Sequence, residues 1–190
     1  MSSPLDRLDL PLTTERLLIR RATPEDAAVT FTWRGDPDVT VWLPSCPPTL
    51  ADWQERFCSE ESLDVTLLFG LPDGPIIGDL MLLVRDAWAQ KEAGDAGVQA
   101  EALIGYSMHP SYAGQGYATE AVTALMELCF RGLGVHRVVA ECFAENEPSW
   151  RLMERLGMRR EGHAVKDSLH RTLGWMDNLT YAVLREEWAR

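Results

Sequence analysis

Apolar residues recur along this chain with two different periods, and the places where the period changes mark out its elements. The run Leu103-Ile104-Gly105-Tyr106-Ser107-Met108 reads as an apolar strand. A turn with Pro110 and the glycine-broken segment Ala113-Gly114-Gln115-Gly116 follow. Then Ala118, Ala121, Val122, Leu125, Met126, Cys129 and Phe130 recur at the spacing of a helix that lays one face on a sheet, ending near Gly132. Upstream, residues 15–21 (ERLLIRR) read as an opening strand, and Thr23-Pro24-Glu25-Asp26 starts a helix that runs to about Trp33, with Pro at N1 and acids in the first turn. Gly35-Asp36-Pro37 interrupt it, residues 39–43 lead into a Pro-rich turn over 44–48, and Thr49 caps a second helix from Leu50 to about Glu60. Apolar runs at 64–69 and 75–84, separated by Gly70-Leu71-Pro72-Asp73-Gly74, predict a hairpin.

Residues 90–99 (QKEAGDAGVQ) are acidic and glycine-containing, the texture of a mobile surface loop. The run 136–143 suits a strand beside the one at Leu103. Asn146-Glu147-Pro148 opens a short helix with Gly157 as its C-terminal cap. Segments 158–165 and 175–185 alternate like a closing antiparallel pair. No internal repeat and no linker interrupts the order, so one α/β domain over 1–190 is expected.

Composition narrows this picture. A chain of 190 residues with 46% apolar side chains can bury one sizeable core. No apolar run reaches 18 residues, and the opening MSSPLDRLDL lacks the basic-then-apolar pattern of a signal peptide, so a cytoplasmic location and no membrane partner are expected. Cys46, Cys58, Cys129 and Cys142 form no C-x-x-C pair, which argues against zinc and against a disulfide framework. The net charge of -11 argues against a nucleic-acid partner and suits a cationic one. Residues 131–171 nevertheless carry eight bases against six acids. Those charges are either solvated faces or part of a site for an anion shared with the glycine loop.

The strand-loop-helix junction is the strongest chemical signal. It leaves the first backbone N-H groups of the helix without partners and aims the positive helix end at the loop, a natural seat for an anion. Gly114 and Gly116 let the backbone approach a phosphate, and Ala118 and Thr119 keep the first turn small. A dinucleotide fingerprint fails, because Thr119 stands where G-x-G-x-x-G requires its last glycine, and no G-x-x-x-x-G-K-[ST] is present.

The loop resembles motif A of the GNAT superfamily of acyl-coenzyme A dependent N-acetyltransferases, [RQ]-x-x-G-x-[GA], as Ala113-Gly114-Gln115-Gly116-Tyr117-Ala118. Thr119-Glu120-Ala121, Ile104-Gly105-Tyr106, Asn146-Glu147-Pro148-Ser149, Leu156-Gly157, the opening Thr14-Glu15-Arg16-Leu17 with Leu18-Ile19-Arg20 and the closing Glu187-Trp188 are similar to the RimJ/RimL branch. The resemblance spans nearly the whole chain. It implies a mixed, mostly antiparallel central sheet with a splayed parallel strand pair and helices on both faces. It also implies acetyl-CoA as co-substrate, no metal, and an amine acceptor that is a protein N-terminus, a polyamine, an aminoglycoside or another small amine. A homodimer is compatible with it.

By the same resemblance, Ala113, Gly114, Gln115, Gly116, Tyr117, Ala118 and Thr119 would cradle the pyrophosphate. The backbone of Tyr106, Ser107 and Met108 would carry the pantetheine arm and polarise the thioester, with Asn146 holding that arm. Ser149 would be the catalytic acid or its water relay. Helix capping is the competing reading of Asn146 and Ser149. Two positions depart from the family: Ala113 replaces its usual Arg or Gln, and Met153 stands where many members place a tyrosine acid. Glu101 is a candidate general base, with a solvated strand-end acid as the alternative, and water can also take the proton. His163, Trp175 and Asp177 are candidates for the acceptor pocket. The departures also leave open a non-catalytic acyl-CoA sensor on the same scaffold.

Overall fold

The two periods of the sequence resolve into eight strands and six α-helices in the computed structural model, which describes residues 3–188. Met1, Ser2, Ala189 and Arg190, the ends of the expected 1–190 domain, lie outside the described residues. The strands hydrogen-bond in the order β1-β2-β3-β4-β5-β6-β8-β7, and the chain divides into two compact units.

The first unit runs up to Leu82 and takes in Tyr106–Leu128. It holds β1 (Leu12–Thr13), β2 (Leu18–Arg21), α1 (Ala27–Arg34), α2 (Leu50–Phe57), α3 (Glu60–Leu63), β3 (Thr66–Gly70) and most of β4 (Ile76–Arg85). β1 to β4 pair antiparallel, with Leu12 opposite Ile19, Ile19 opposite Phe69, and Leu67 opposite Leu80. Leu17, Ile19, Leu67, Leu68, Phe69, Ile77 and Leu80 are fully buried there, and Trp53 and Phe57 of α2 pack on Leu68 and Ala27. Thr49 caps α2 as expected, its hydroxyl accepting from the Asp52 N-H. The helix stops at Phe57, short of the expected Glu60, because Ser59 leaves helical geometry and its side chain caps the separate turn α3.

The second unit comprises Leu83–Gly105 and the chain from Cys129 onward. β5 (Glu101–Met108) begins there and ends in the first unit, where α4 (Tyr117–Glu127) follows it. A π-turn over Leu128–Leu133 carries the chain to β6 (Arg137–Phe143), and the rest is α5 (Glu147–Arg155), β7 (Arg159–His170), β8 (Gly174–Leu184) and α6 (Arg185–Trp188). β5 and β6 pair in parallel from Glu101↔Arg137 to Ile104↔Ala140, where this ladder stops. β6 continues antiparallel to β8 as far as Phe143↔Asn178.

Residues 90–99 lie at the surface, with Lys91–Gly97 wound into 3-10 turns kinked at Gly94 and the segment closed by Ala87 N-H donating to the Gly97 carbonyl at 2.8 Å. One expectation needs correction in the second unit. The hairpin strand expected to end at 165 extends to His170. A bulge with Lys166 at φ 52° interrupts the ladder, which resumes at Ser168↔Met176.

Candidate active site

The junction after β5 has the geometry that its sequence demands. Pro110–Tyr112 forms a 3-10 turn, and Gly114 and Gly116 then take φ +76° and +82°, the left-handed region that favours glycine. Gly116 is the N-cap of α4 and has no side chain to satisfy the N-H groups ahead of the first intrahelical donor, the Glu120 N-H, which bonds the Gly116 carbonyl at 3.0 Å. Among the described residues, the amides of 114–119 meet no protein acceptor. They form a run of N-H groups at the positive end of α4, half-buried at Tyr117, Ala118 and Thr119 and exposed at 114–116. An added side chain at Gly114 would meet nothing within 4 Å, so the space over the loop is open. This is a fit for a diphosphate.

Arg16 completes the loop and was not assigned a role from the sequence. Its Nε donates to Glu120 Oε2 at 2.7 Å, its backbone N-H to Oε1 at 2.8 Å, and its Nη1 to the Gln115 carbonyl at 3.0 Å. The guanidinium lies 4.8 Å from the centre of the Tyr117 ring, and Thr14 Oγ1 adds a hydrogen bond to Glu120 at 2.6 Å. Burial works against the charge on Glu120. The bonds from Thr14 and Arg16 outweigh it and hold the carboxyl below its ordinary range. The only sequence signal was position, since Arg16 lies inside the opening motif Thr14-Glu15-Arg16-Leu17.

At the end of β5, Tyr106 and Met108 are half-buried and Ser107 is buried. The Ser107 side chain is committed inward: its Oγ donates to Asp79 and accepts from Trp33 Nε1 at 3.1 Å. What Ser107 can offer a ligand is therefore its backbone. Asp79, 3% exposed, also accepts from Trp33 Nε1 at 2.8 Å and from Arg34. Gly78 is required beside it, because a Cβ there would come within 2.6 Å of the Ser107 carbonyl and closer still to the Phe69 ring.

In the second unit, Asn146 precedes α5 and makes no side-chain cap; its carbonyl accepts from Ser149 N-H at 3.1 Å. Capping by its side chain is thus not its structural role. Ser149 sits in the first turn of α5, half-buried, and bonds the Cys142 thiol. Burial pushes that thiol up to about 11, against the opposing pull of Ser149 and Arg160. Met153 is buried in the core at 1% exposure.

Glu101 opens β5, at the end away from the glycine loop, and its Oε1 accepts from Arg85 Nε of β4 at 2.7 Å. Its Oε2 lies 3.0 Å from Arg137 Nε of β6, close but outside hydrogen-bond alignment. The carboxylate therefore ties together the strands on either side of β5. Of the acceptor-pocket candidates, His163 Nε2 meets Asp177 Oδ2 at 2.7 Å across the β7-β8 hairpin, and Trp175 is 58% exposed. Among the described residues no group of three or more His, Cys, Asp or Glu is placed to hold a metal ion. No helix among them is long and apolar enough to cross a membrane.

A mostly antiparallel sheet with one parallel pair, and an amide-lined loop between a strand and a helix, define an acyltransferase-type scaffold. The profile of the Acetyltransferase (GNAT) domain family matches residues 16–159, and the chain belongs to that family. A Bacillus subtilis protein described as an uncharacterized N-acetyltransferase, YnaD, is 33% identical over 177 residues, 93% of this chain and 98% of its own. The [ribosomal protein uS5]-alanine N-acetyltransferase of Escherichia coli is 34% identical over 85 residues, 45% of this chain and 43% of that one. A crystal structure of a GNAT acetyltransferase from Bacillus anthracis superposes with TM-score 0.78 at 30% identity, covering 93% of this chain and 99% of that one.

Proposed function

We propose that this N-acetyltransferase moves acetyl from acetyl-CoA to a primary amine, a protein N-terminus first among the candidates, by direct transfer in a ternary complex, and that residues 1–190 act as one acetyltransferase domain. The observation that carries the cofactor is the run of acceptor-free amides at 114–119, closed on one side by the Arg16 guanidinium. It offers a diphosphate backbone N-H donors, a helix end and a nearby positive charge, without needing the family's usual side chain at position 113. In this reading Ala113, Gly114, Gln115, Gly116, Tyr117, Ala118 and Thr119 hold the pyrophosphate. Tyr106, Ser107 and Met108 line the pantetheine arm through their backbone, and Asn146 contributes its side chain, which makes no helix-cap bond.

The chemistry needs a neutral amine, whose nitrogen lone pair attacks the thioester carbonyl carbon. The N-C bond forms, the C-S bond breaks, and the sulfur leaves with the bonding pair. The amine proton passes to water, and the leaving sulfur takes a proton from a water that Ser149 holds, or through the Ser149 hydroxyl as water returns a proton to it. Glu101 is given no part in this, because Arg85 and Arg137 already claim its carboxylate. The preference for a protein N-terminus is supported by the relative that acts on an alanine of ribosomal protein uS5.

The test is release of free thiol from acetyl-CoA over a panel of N-terminal peptides, polyamines and aminoglycosides. Acetylation of an N-terminal alanine peptide above the other amines is expected. CoA binding with turnover of no amine would favour a second reading, an acyl-CoA sensor, which the buried Met153 and the Cys142-bound Ser149 make specific.

A further inference from the structure

We infer that Arg16 is a pyrophosphate-binding residue, supplying from the N-terminal segment the cation that Ala113 does not place in the loop. The inference rests on the reading of residues 114–119 as the diphosphate seat. Its own support is the way the guanidinium is used. Nε bonds Glu120 and one Nη1 N-H bonds the Gln115 carbonyl, which leaves both N-H groups of Nη2 without a protein partner. Nη2 lies 3.4 Å from where a Gly116 side chain would begin, and the Arg16 side chain is 43% exposed. The free edge of the fork therefore lies beside Gly116, the glycine that caps α4 within the run of acceptor-free amides.

Charge gives a second reason. Glu120 lies in the first turn of α4, and an unpaired carboxylate there would repel a diphosphate seated on the same helix end. Its two oxygens are covered by Thr14 Oγ1, the Arg16 N-H and Arg16 Nε. Arg16 thus does two things at once: it neutralises the acid and turns its remaining donors toward the ligand. Arginine suits this better than lysine, because its planar fork serves two acceptors and still has donors to spare.

The experiment is equilibrium titration of the full chain with CoA, dephospho-CoA and pantetheine, comparing wild type with Arg16→Gln, Arg16→Lys and Arg16→Gln/Glu120→Gln, each checked by thermal unfolding. Arg16→Gln should weaken CoA and dephospho-CoA alike, by about tenfold or more, and leave pantetheine unchanged, since only the first two carry the diphosphate. Arg16→Lys should lose less, and adding Glu120→Gln should recover part of the loss. Should Arg16→Gln unfold, the Arg16→Lys comparison of CoA with pantetheine stands in for it. CoA affinity that is the same in wild type and in the Arg16 variants, or an equal loss on pantetheine, overturns this inference alone. A wild type that binds pantetheine but gains nothing from the diphosphate overturns the reading of the loop as well.

Discussion

Arg34 and Asp79, on α1 and β4, meet through two hydrogen bonds in which Nε donates to Oδ1 at 3.1 Å and Nη2 donates to Oδ2. The Asp79 carboxylate is buried, and its Oδ1 also accepts from Trp33 Nε1 and Ser107 Oγ. One acid therefore gathers donors from α1 and from the end of β5 that is proposed to face the cofactor. Removing it takes the acceptor from the Ser107 hydroxyl and the largely buried Arg34 guanidinium, and leaves the Trp33 indole N-H only its bond to Ser107 Oγ at 3.1 Å. Asp79→Ala should cost roughly 3–5 kcal/mol of stability in denaturant unfolding, and Asp79→Asn, which keeps an acceptor, distinctly less.

The glycines of the loop separate strain from access. Gly116→Val places a branched side chain at φ +82° and against Arg16 Nη2, so both the backbone and the cation next to it must shift. CoA affinity by calorimetry should fall by about tenfold or more, or about 1.4 kcal/mol. Gly114→Ala is under the same backbone strain with open space around it, so its effect should be smaller. An unaltered CoA affinity in Gly116→Val would place the phosphates elsewhere.

Ser149→Ala addresses the transfer step. It should lower turnover in the thiol-release assay and leave CoA affinity within about twofold, the signature of an interaction made in the transition state. Equal activity in both proteins would return Ser149 to a structural partner of Cys142.

Thiol chemistry follows from burial. Burial pushes Cys129 up to about 12 and Cys142 up to about 11, whereas Cys46 and Cys58 are only half-buried. A thiol reagent at pH 8 should label Cys46 and Cys58 in the native protein and reach Cys129 and Cys142 only on unfolding, as read by mass spectrometry. Native-state labelling of Cys142 at the rate of Cys58 would contradict this packing.

The pH dependence of stability carries a mark of Asp26. Burial raises its pKa, but hydrogen bonds from Arg20 and from the Thr23 N-H, together with the Arg20 charge, outweigh burial and leave the carboxyl below its ordinary range. A depressed folded-state pKa contributes stability that is present above the unfolded value of about 3.9 and is lost as pH falls through the folded value. Asp26→Asn should therefore be less stable than wild type at pH 7, and the gap should narrow on acidification below about pH 4, measured by urea unfolding. A gap that is constant with pH would mean that packing, and not charge, explains the difference.

Much of the fold was legible because it is written in short-range periods. The strand at 103–108, the glycine loop and the apolar stripe of α4 follow from residues within a few positions of one another, as does Gly157 at φ +79° behind α5. Resemblance then attached acetyl-CoA to that junction. Where local signals compete, as at Ser59 or at the Lys166 bulge, the expected boundaries moved. What only the tertiary structure decided are pairings across the sequence. Arg16 reaches Glu120 over 104 positions, Trp33 reaches Ser107 over 74, and Glu101 takes up Arg85 and Arg137 instead of standing free as a base. A buried polar group must find a partner, but which partner depends on strand register and helix placement, and neither is encoded within one turn or one strand of chain. The seat proposed for the phosphates is therefore local and readable, while the Arg16 cation proposed to close it is brought there only by folding.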